Sequence, residues 1–112
     1  MKGQADYEVV ILDSARRDLG LIIDYLTAHD SDDAAERLIA AFAEKVASLK
    51  KFPLRGGRPA ELERVGATDV RQLLIRPYRL IYRVVEKRVF IMFLADGRRD
   101  MQALLERRLL GR

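Results

Sequence analysis

Residues 70–95 alternate in side-chain character, and this period of two constrains the fold more than any other feature of the chain. Alternation of this kind is typical of β-strands, whose side chains point to opposite faces in turn. It predicts three strands, Val70–Ile75, Tyr78–Val85 and Arg88–Ala95, joined at Arg76-Pro77 and Glu86-Lys87. Connections of two residues join antiparallel neighbours, so the segment is predicted to form a three-stranded antiparallel meander.

Two amphipathic helices are predicted between a first strand and this meander. Tyr7–Leu12 is β-branched and aromatic in character, which favours a strand that leads into a helix N-cap at Asp13-Ser14. The turn Thr27–Asp30 separates this helix from a second one, which Ser31 is predicted to cap. Apolar residues recur at steps of three and four along both helices: Ala15, Leu19, Ile22, Ile23 and Leu26, then Ala35, Leu38, Phe42, Val46 and Leu49. Two such helices joined by a short turn form an antiparallel hairpin.

The remaining segments complete an α+β fold. Phe52–Pro59 contains two prolines and a glycine pair and is predicted to be a basic loop, whereas Arg99–Leu110 is predicted to be a final helix. The order β-α-α-β-β-β-α predicts a four-stranded sheet, made by the N-terminal strand and the meander, with the hairpin on one face. With 112 residues, of which 49% are hydrophobic, residues 1–112 are expected to form a single domain.

Composition and charge narrow the possible partners. The chain has no apolar run of the roughly 20 residues that a membrane helix needs, and no signal-peptide pattern at its start, so we expect a cytoplasmic protein. It has no cysteine and a single histidine, His29, so we expect no metal site and no cofactor. Residues 1–52 carry 7 Lys and Arg against 10 Asp and Glu, whereas residues 53–112 carry 14 against 7. An anionic partner would therefore be attracted to the second half.

Arginines are placed along the predicted sheet and directly after it. Alternation puts Tyr78, Leu80, Tyr82 and Val84 on one face of their strand and Arg79, Ile81, Arg83 and Val85 on the other. We expect Arg71, Arg79 and Arg83 to gather on the face that the hairpin leaves bare, with Arg98 and Arg99 after the last strand. Such a face suits an acidic, amphipathic partner segment. The alternative is structural: strand cations discourage edge-to-edge pairing, and the Arg98-Arg99 pair is neutralised locally by Asp96 or Asp100.

The ordered set of motifs resembles the RelE/ParE superfamily of toxins from type II toxin–antitoxin modules. The residues that carry the resemblance span most of the chain: Ala15, Asp18-Leu19, Ala35, Leu49, Pro53, the strand Tyr78–Val84 and the segment Asp96–Asp100. The resemblance implies a small toxin that is held inactive by an antitoxin.

Members of this superfamily are either ribosome-dependent mRNA endonucleases or ParE-like inhibitors of DNA gyrase. The long hairpin, the Arg98-Arg99-Asp100 ending and the leucine-rich last helix are similar to ParE-like chains. Where members often have a histidine before the terminal glycine-arginine segment, this chain has Asp96.

The chemistry of RNA cleavage favours the gyrase inhibitor. Attack by a 2′-hydroxyl needs a proton acceptor, a proton donor and a cation for the phosphorane, and arginine supplies only the cation. Nothing after Gly97 is a tyrosine or histidine. A nuclease would have to use residues without diagnostic spacing: Lys50, Lys51, Glu61, Glu63 or Tyr78. We therefore predict a protein inhibitor rather than an enzyme, without a small-molecule substrate.

The predicted partners follow from the same resemblance. Arg71, Arg79, Arg83, Arg98 and Arg99 are predicted to bind a cognate antitoxin or the target, DNA gyrase. A ribosome-dependent mRNA endonuclease, whose partners would be the ribosome and mRNA, remains the main alternative. A regulatory or structural partner of the antitoxin, without toxicity, is a third.

Overall fold

The computed structural model describes residues 6–66 and 69–111 of the chain. Its helices and strands confirm the predicted order. They are β1 Glu8–Ile11, α1 Asp13–His29, α2 Asp32–Leu49, β2 Val70–Ile75, β3 Tyr78–Val85, β4 Arg88–Asp96 and α3 Met101–Leu110. A 3-10 helix, Ala60–Val65, which the sequence patterns did not predict, precedes β2. The α+β fold predicted from the sequence is thus confirmed.

The four strands form one sheet in the order β1-β4-β3-β2. β2, β3 and β4 pair antiparallel, which confirms the predicted meander. β1 lies parallel to β4, with Val9 opposite Val89 and Ile11 opposite Ile91. The long helical connection after β1 allows this parallel arrangement, since it can carry the chain back across the sheet.

The helical hairpin covers one face of the sheet, as predicted. The fully buried members of this core come from both helices and three strands: Ala15, Phe42, Leu49, Leu73, Leu80, Tyr82, Val89, Ile91 and Leu94. Ser31 caps α2 as predicted, because its hydroxyl accepts a hydrogen bond from the Ala34 N–H at 3.0 Å. The predicted cap at Asp13-Ser14 is wrong, since α1 begins at Asp13 without a side-chain cap.

A β-bulge explains what Ser14 does instead. Ile81 of β3 lies opposite Phe93, but the next residue, Tyr82, lies opposite Ile91, so Met92 has no partner in register. The Ser14 hydroxyl donates a hydrogen bond to the Met92 carbonyl at 2.7 Å. A bulge leaves its extra residue outside the regular ladder, and here α1 uses the carbonyl of that residue.

The second face of the sheet is covered by α3 and by the 3-10 helix, and the expectation that it is left bare is wrong. The buried residues of this smaller core are Leu62, Val70, Ile81, Phe93, Ala95, Met101, Leu104 and Leu105. α3 begins two residues later than predicted, because the Asp100 carboxylate caps it by accepting the Ala103 N–H at 3.1 Å. None of the described helices is both long and apolar enough to cross a membrane.

An ion pair fixes the far end of α3 across the sheet. Arg108 Nη2 donates to Asp18 Oδ2 at 2.9 Å, and its guanidinium lies 4.5 Å from the centre of the Phe93 ring. The same carboxylate oxygen accepts the Leu94 N–H at 3.1 Å. α1, β4 and α3 are therefore held together by one aspartate.

Candidate functional site

The five arginines predicted to bind a partner do not form one cluster. Arg79 and Arg83 lie opposite Leu74 and Val70 in the β2–β3 register, on the face that α3 partly covers. Arg71 lies opposite Tyr82, which belongs to the hairpin core. Directly opposed residues share a face, so Arg71 projects to the hairpin side, and its predicted place beside Arg79 and Arg83 is wrong.

Arg71 holds the basic loop that follows α2. Its Nη1 donates to the backbone carbonyls of Leu54, at 3.2 Å, and Gly56, at 2.7 Å. The guanidinium therefore satisfies carbonyl groups in a segment that has too few backbone partners of its own.

Arg79 is largely buried and forms the most complete polar network on the second face. Its Nη1 and Nη2 donate to the two Glu61 carboxylate oxygens, both at 2.9 Å, and its Nε donates to Gln72 Oε1 at 2.7 Å. The Arg79 side chain is 13% exposed and that of Glu61 is 26% exposed. The bonds from Arg79 lower the pKa of Glu61 against the opposing effect of burial. Arg79 thus fastens the 3-10 helix to the sheet by a bidentate ion pair.

Arg83 and Arg98 are also paired with nearby carboxylates. Arg83 Nε is a buried atom and lies 2.6 Å from Asp69 Oδ2, so the two side chains form an ion pair. The Nε–H of Arg83 is not aligned for a hydrogen bond. Arg98 donates from Nε and Nη2 to the two oxygens of Asp96, at 2.9 and 2.6 Å, as the local-pairing alternative predicted. Arg99 is exposed, and its side chain makes no ion pair with the described part of the chain.

Two cavities meet at a corner of the fold, which we define as Arg76, Pro77 and Tyr78 together with Gly97 and Arg98. One cavity, of about 360 Å³, is lined by these five residues, Leu74 and Arg79. The other, of about 330 Å³, shares Arg76, Pro77 and Tyr78 and continues along the hairpin, where its lining includes Leu26, Asp30, Ala34 and Arg37. The first of these cavities therefore brings together two predicted residues, Arg79 and Arg98, and adds Arg76, which was not singled out from the sequence.

Gly97 allows the two turns at the corner to approach each other. Its N–H donates to the Pro77 carbonyl at 2.8 Å. A Cβ at this position would lie 3.0 Å from Arg79 Cδ and 3.1 Å from the Pro77 oxygen. A side chain at residue 97 would therefore press on Arg79 and on the Arg76-Pro77 turn, so packing favours glycine here.

The ionisable groups around the corner favour binding over proton transfer. Burial, with the nearby Asp96 charge, raises the pKa of Tyr78, so the phenol stays protonated at neutral pH. Hydrogen bonds from Arg98 lower the pKa of Asp96, as those from Arg79 do for Glu61. Both carboxylates are therefore ionised, paired and weakly basic. Lys51, another candidate for a nuclease, lines a different cavity with Tyr7 and Phe52.

The described residues around the corner include no cluster of the kind that holds a metal ion. Among residues 6–66 and 69–111 there is no group of three or more histidine, aspartate or glutamate side chains placed to hold an ion. The corner offers a concave surface lined by aromatic and aliphatic residues, Tyr78, Pro77 and Leu74, together with Arg76, Arg79 and Arg98. Such a surface can receive an amphipathic, acidic group.

Comparison with solved structures identifies the same fold in toxins. The chain is similar to a chain of the chromosomal ParDE toxin–antitoxin system from P. aeruginosa, with 25% identity, a TM-score of 0.65, and coverage of 80% of this chain and 95% of that one. It is also similar to a chain of the RelBE2 toxin–antitoxin complex of Mycobacterium tuberculosis, with 25% identity, a TM-score of 0.59, and coverage of 86% and 97%. A double arginine-to-alanine variant of the E. coli toxin RelE in the free state shares the fold at 15% identity, with a TM-score of 0.57 and coverage of 88% and 92%.

Comparisons at the level of sequence agree with the fold. A search of curated proteins gave no significant match. The model of the ParE toxin family, described as the ParE toxin of the type II toxin–antitoxin system parDE, matches residues 9–101. The match includes β1, the hairpin, the whole meander and both turns of the corner. The chain belongs to the ParE toxin family of type II toxin–antitoxin systems.

Proposed function

We propose that this chain is a toxin that inhibits DNA gyrase by binding to it, and that a cognate antitoxin neutralises it. Membership of the ParE family supports the toxin role. The solved relatives include toxin–antitoxin systems, which supports an antitoxin as the partner of this chain. Inhibition by binding needs a shaped surface and no reacting group.

The observation that carries the proposal is the pairing of the carboxylates at and beside the corner, Asp96 with Arg98 and Glu61 with Arg79. Cleavage of RNA requires a base that accepts the 2′-hydroxyl proton and an acid that protonates the leaving oxygen. The raised pKa of Tyr78 keeps its phenol protonated at neutral pH, so it has no free site to accept the 2′-hydroxyl proton, and it makes the phenol a weaker acid. Glu61 and Asp96 have lowered pKa values and are held by arginines, so neither is a good acid or a strong base. A surface with these properties is suited to holding a partner.

A second candidate, the ribosome-dependent endonuclease, has one observation in its favour. Arg76, Arg79 and Arg98 line the same cavity of about 360 Å³, and guanidinium groups recognise phosphate well. Two of these three charges are already neutralised, Arg79 by Glu61 and Arg98 by Asp96. The net positive charge left for a phosphate is therefore small, which weakens the case for RNA at this cavity.

We propose that the five arginines contribute to partner binding in different ways, depending on where each lies in the fold. Arg98 and Arg99 are exposed beside the corner and are available to a partner with only local rearrangement. Arg79 contributes from the cavity wall. Arg71 and Arg83 lie away from the corner, so we propose that they affect binding through the loop and through the end of the sheet that they stabilise.

Expression of the toxin without its antitoxin, followed by two separate readouts, tests this function. We expect a DNA-damage response and growth arrest, while the 5′ ends of mRNA remain unchanged. Tyr78→Phe removes the phenol that lines both cavities of the corner and should leave the arrest intact, because binding needs the ring and not the hydroxyl. Mapped cuts within codons, together with loss of toxicity in Tyr78→Phe, would instead establish the endonuclease.

A further inference from the structure

The loop after α2 exposes two large apolar side chains at the end of the fold opposite the corner. Phe52 is 64% exposed and Leu54 is 59% exposed, while Pro53 between them is buried. With Tyr7, Lys51 and Arg55, these residues line a cavity of about 450 Å³. We call the exposed pair the Phe52–Leu54 ridge. Single exposed apolar residues are ordinary on protein surfaces, but a pair beside a cavity requires an explanation.

The backbone that carries the ridge is fixed by buried groups of the sheet. The hydroxyl of Tyr82, whose side chain is fully buried, donates to the Pro53 carbonyl at 2.8 Å and accepts the Gly56 N–H at 3.0 Å. Arg71 donates to the carbonyls on both sides of Arg55. The chain thus uses a buried tyrosine and a strand arginine to hold two apolar side chains in solvent.

Gly56 shows how closely the loop is seated. A Cβ at this residue would lie 2.3 Å from the Gln72 carbonyl oxygen and 2.7 Å from the Tyr82 hydroxyl. No side chain fits there without moving the loop away from the sheet. A surface that is already fixed before binding loses little conformational entropy when a partner covers it, which is how strong contacts at interfaces arise.

Positive charges surround the ridge. Lys51 and Arg55 line its cavity, Lys50 is exposed at the end of α2, and the Lys87 ammonium lies 4.6 Å from the centre of the Tyr7 ring. Asp6, 3.3 Å from Lys51, offsets one of these charges. An apolar ridge with a cationic rim is complementary to a polypeptide segment that carries apolar side chains between carboxylates.

We infer that the Phe52–Leu54 ridge is a docking site for an acidic, apolar segment of the cognate antitoxin, an assignment that rests on the proposed function for the existence of that partner. The antitoxin fits better than the target because a toxin is stored in its complex, and interfaces of long-lived complexes are the more apolar ones. α2 has 18 residues and is roughly 27 Å long, so the ridge at its C-terminal end and the corner at its N-terminal end are separate surfaces.

Affinity for the antitoxin, measured by calorimetry with the full chain and its purified cognate antitoxin, tests the assignment. The double variant Phe52→Ser, Leu54→Ser should raise Kd at least about 30-fold, since two central apolar contacts are removed. The control is Leu21→Ser on α1, where the side chain is 69% exposed and lies outside both cavities of the corner, and its Kd should change less than about 3-fold. All three positions are exposed, so thermal melting should show both variants folded.

The dependence of binding on salt concentration tests the role of the positive charges around the ridge. Lys51→Gln, Arg55→Gln should weaken binding at low ionic strength and flatten its dependence on salt, because rim charges act through screened attraction. Two results overturn the inference: a ridge variant that binds the antitoxin as tightly as the wild-type chain, or equal losses in the ridge and α1 variants. A short DNA duplex or RNA oligonucleotide that binds the wild-type chain and not the ridge variant would also overturn it.

These outcomes separate the inference from the proposed function. Binding is measured without gyrase, so a chain that binds its antitoxin through the ridge and leaves gyrase active refutes the target and keeps the ridge. Failure of the wild-type chain to bind the antitoxin at all would refute the antitoxin part of the proposed function and, with it, the ridge assignment.

Discussion

The Arg79–Glu61 pair shows how a single residue links charge to stability. Arg79 lies on β3 beneath Glu61 of the 3-10 helix. Its guanidinium neutralises the Glu61 carboxylate through two hydrogen bonds. The pKa of Glu61 is lowered from its usual value of 4.5 because the ionised form is the one that these bonds hold. A carboxylate with a lowered pKa stabilises the folded state above that usual value, and the contribution is lost as the pH falls through the folded-state pKa.

Glu61→Gln should therefore lower the free energy of unfolding by about 1–2 kcal/mol at pH 7, because a charged pair that is only partly exposed is replaced by a neutral contact. The difference from the wild-type chain should shrink below pH 4.5, where Glu61 becomes protonated in the unfolded state first and then in the folded state. Urea unfolding across this pH range measures both effects.

Glu63→Gln is the matched control, since Glu63 is exposed on the same 3-10 helix. It should change the unfolding free energy by less than about 0.5 kcal/mol at either pH. A Glu61→Gln variant as stable as the wild-type chain at pH 7, or equally destabilised at all pH values, would show that the ion pair does not fasten the 3-10 helix.

Other residues show what alternation in the sequence does and does not predict. It predicted which side chains of β3 share a face, and the cores confirm it for Tyr78, Leu80 and Tyr82. It did not predict the face of Arg71, because β2 buries Val70 on one side and Leu73 on the other. When both faces of a strand carry buried apolar residues, only its pairing register decides which one an arginine joins.

Among the elements, α3 accounts for the largest difference between the predicted sheet and the observed one. The sequence predicted a final helix there, and its apolar residues Met101, Leu104, Leu105 and Leu109 share one face, but a local pattern does not say what that face packs against. In the structure they meet Ile81, Phe93 and Leu62, and so close most of the face that was expected to be bare. A helix with an apolar stripe and a sheet with a second apolar face bury each other's apolar surface when they pack together.

Leu105→Ala tests the contribution of α3. Leu105 is fully buried, so the substitution should lower the free energy of unfolding by about 2–5 kcal/mol through lost burial and the cavity that remains. Leu109→Ala is the control, because Leu109 is only partly buried against the same cluster and should cost clearly less. Denaturant unfolding of both variants decides the matter. Equal small losses would mean that α3 does not seal this face.

Neither binding surface could be predicted from single elements, because each is formed by contacts between elements that are distant in sequence. Arg79 and Arg98 could be named from the sequence, but their joint place at the corner depends on two turns that Gly97 allows to touch. Phe52 and Leu54 were assigned only to a basic loop. Two large apolar residues on either side of a proline, within a run of cations, were a possible signal. Their exposure follows from the buried Tyr82 hydroxyl, a contact between residues 29 positions apart in sequence.

As a whole, this member of the ParE toxin family has two candidate binding surfaces at opposite ends of α2. One is the corner, where paired arginines and a protonated tyrosine suit protein binding, and the other is the ridge, where fixed apolar side chains lie within a cationic rim. The excess of cations in residues 53–112 contributes to both. Long-range attraction from this half should speed the encounter with acidic partners, most strongly at low salt.

Supercoiling of relaxed plasmid by purified gyrase, measured while the toxin is titrated, tests the central claim most directly. We predict inhibition that is dose-dependent, that persists in Tyr78→Phe, and that is reversed when one equivalent of antitoxin is added. Supercoiling that proceeds unchanged in excess toxin, from a preparation that still arrests growth and still binds its antitoxin, would contradict the account.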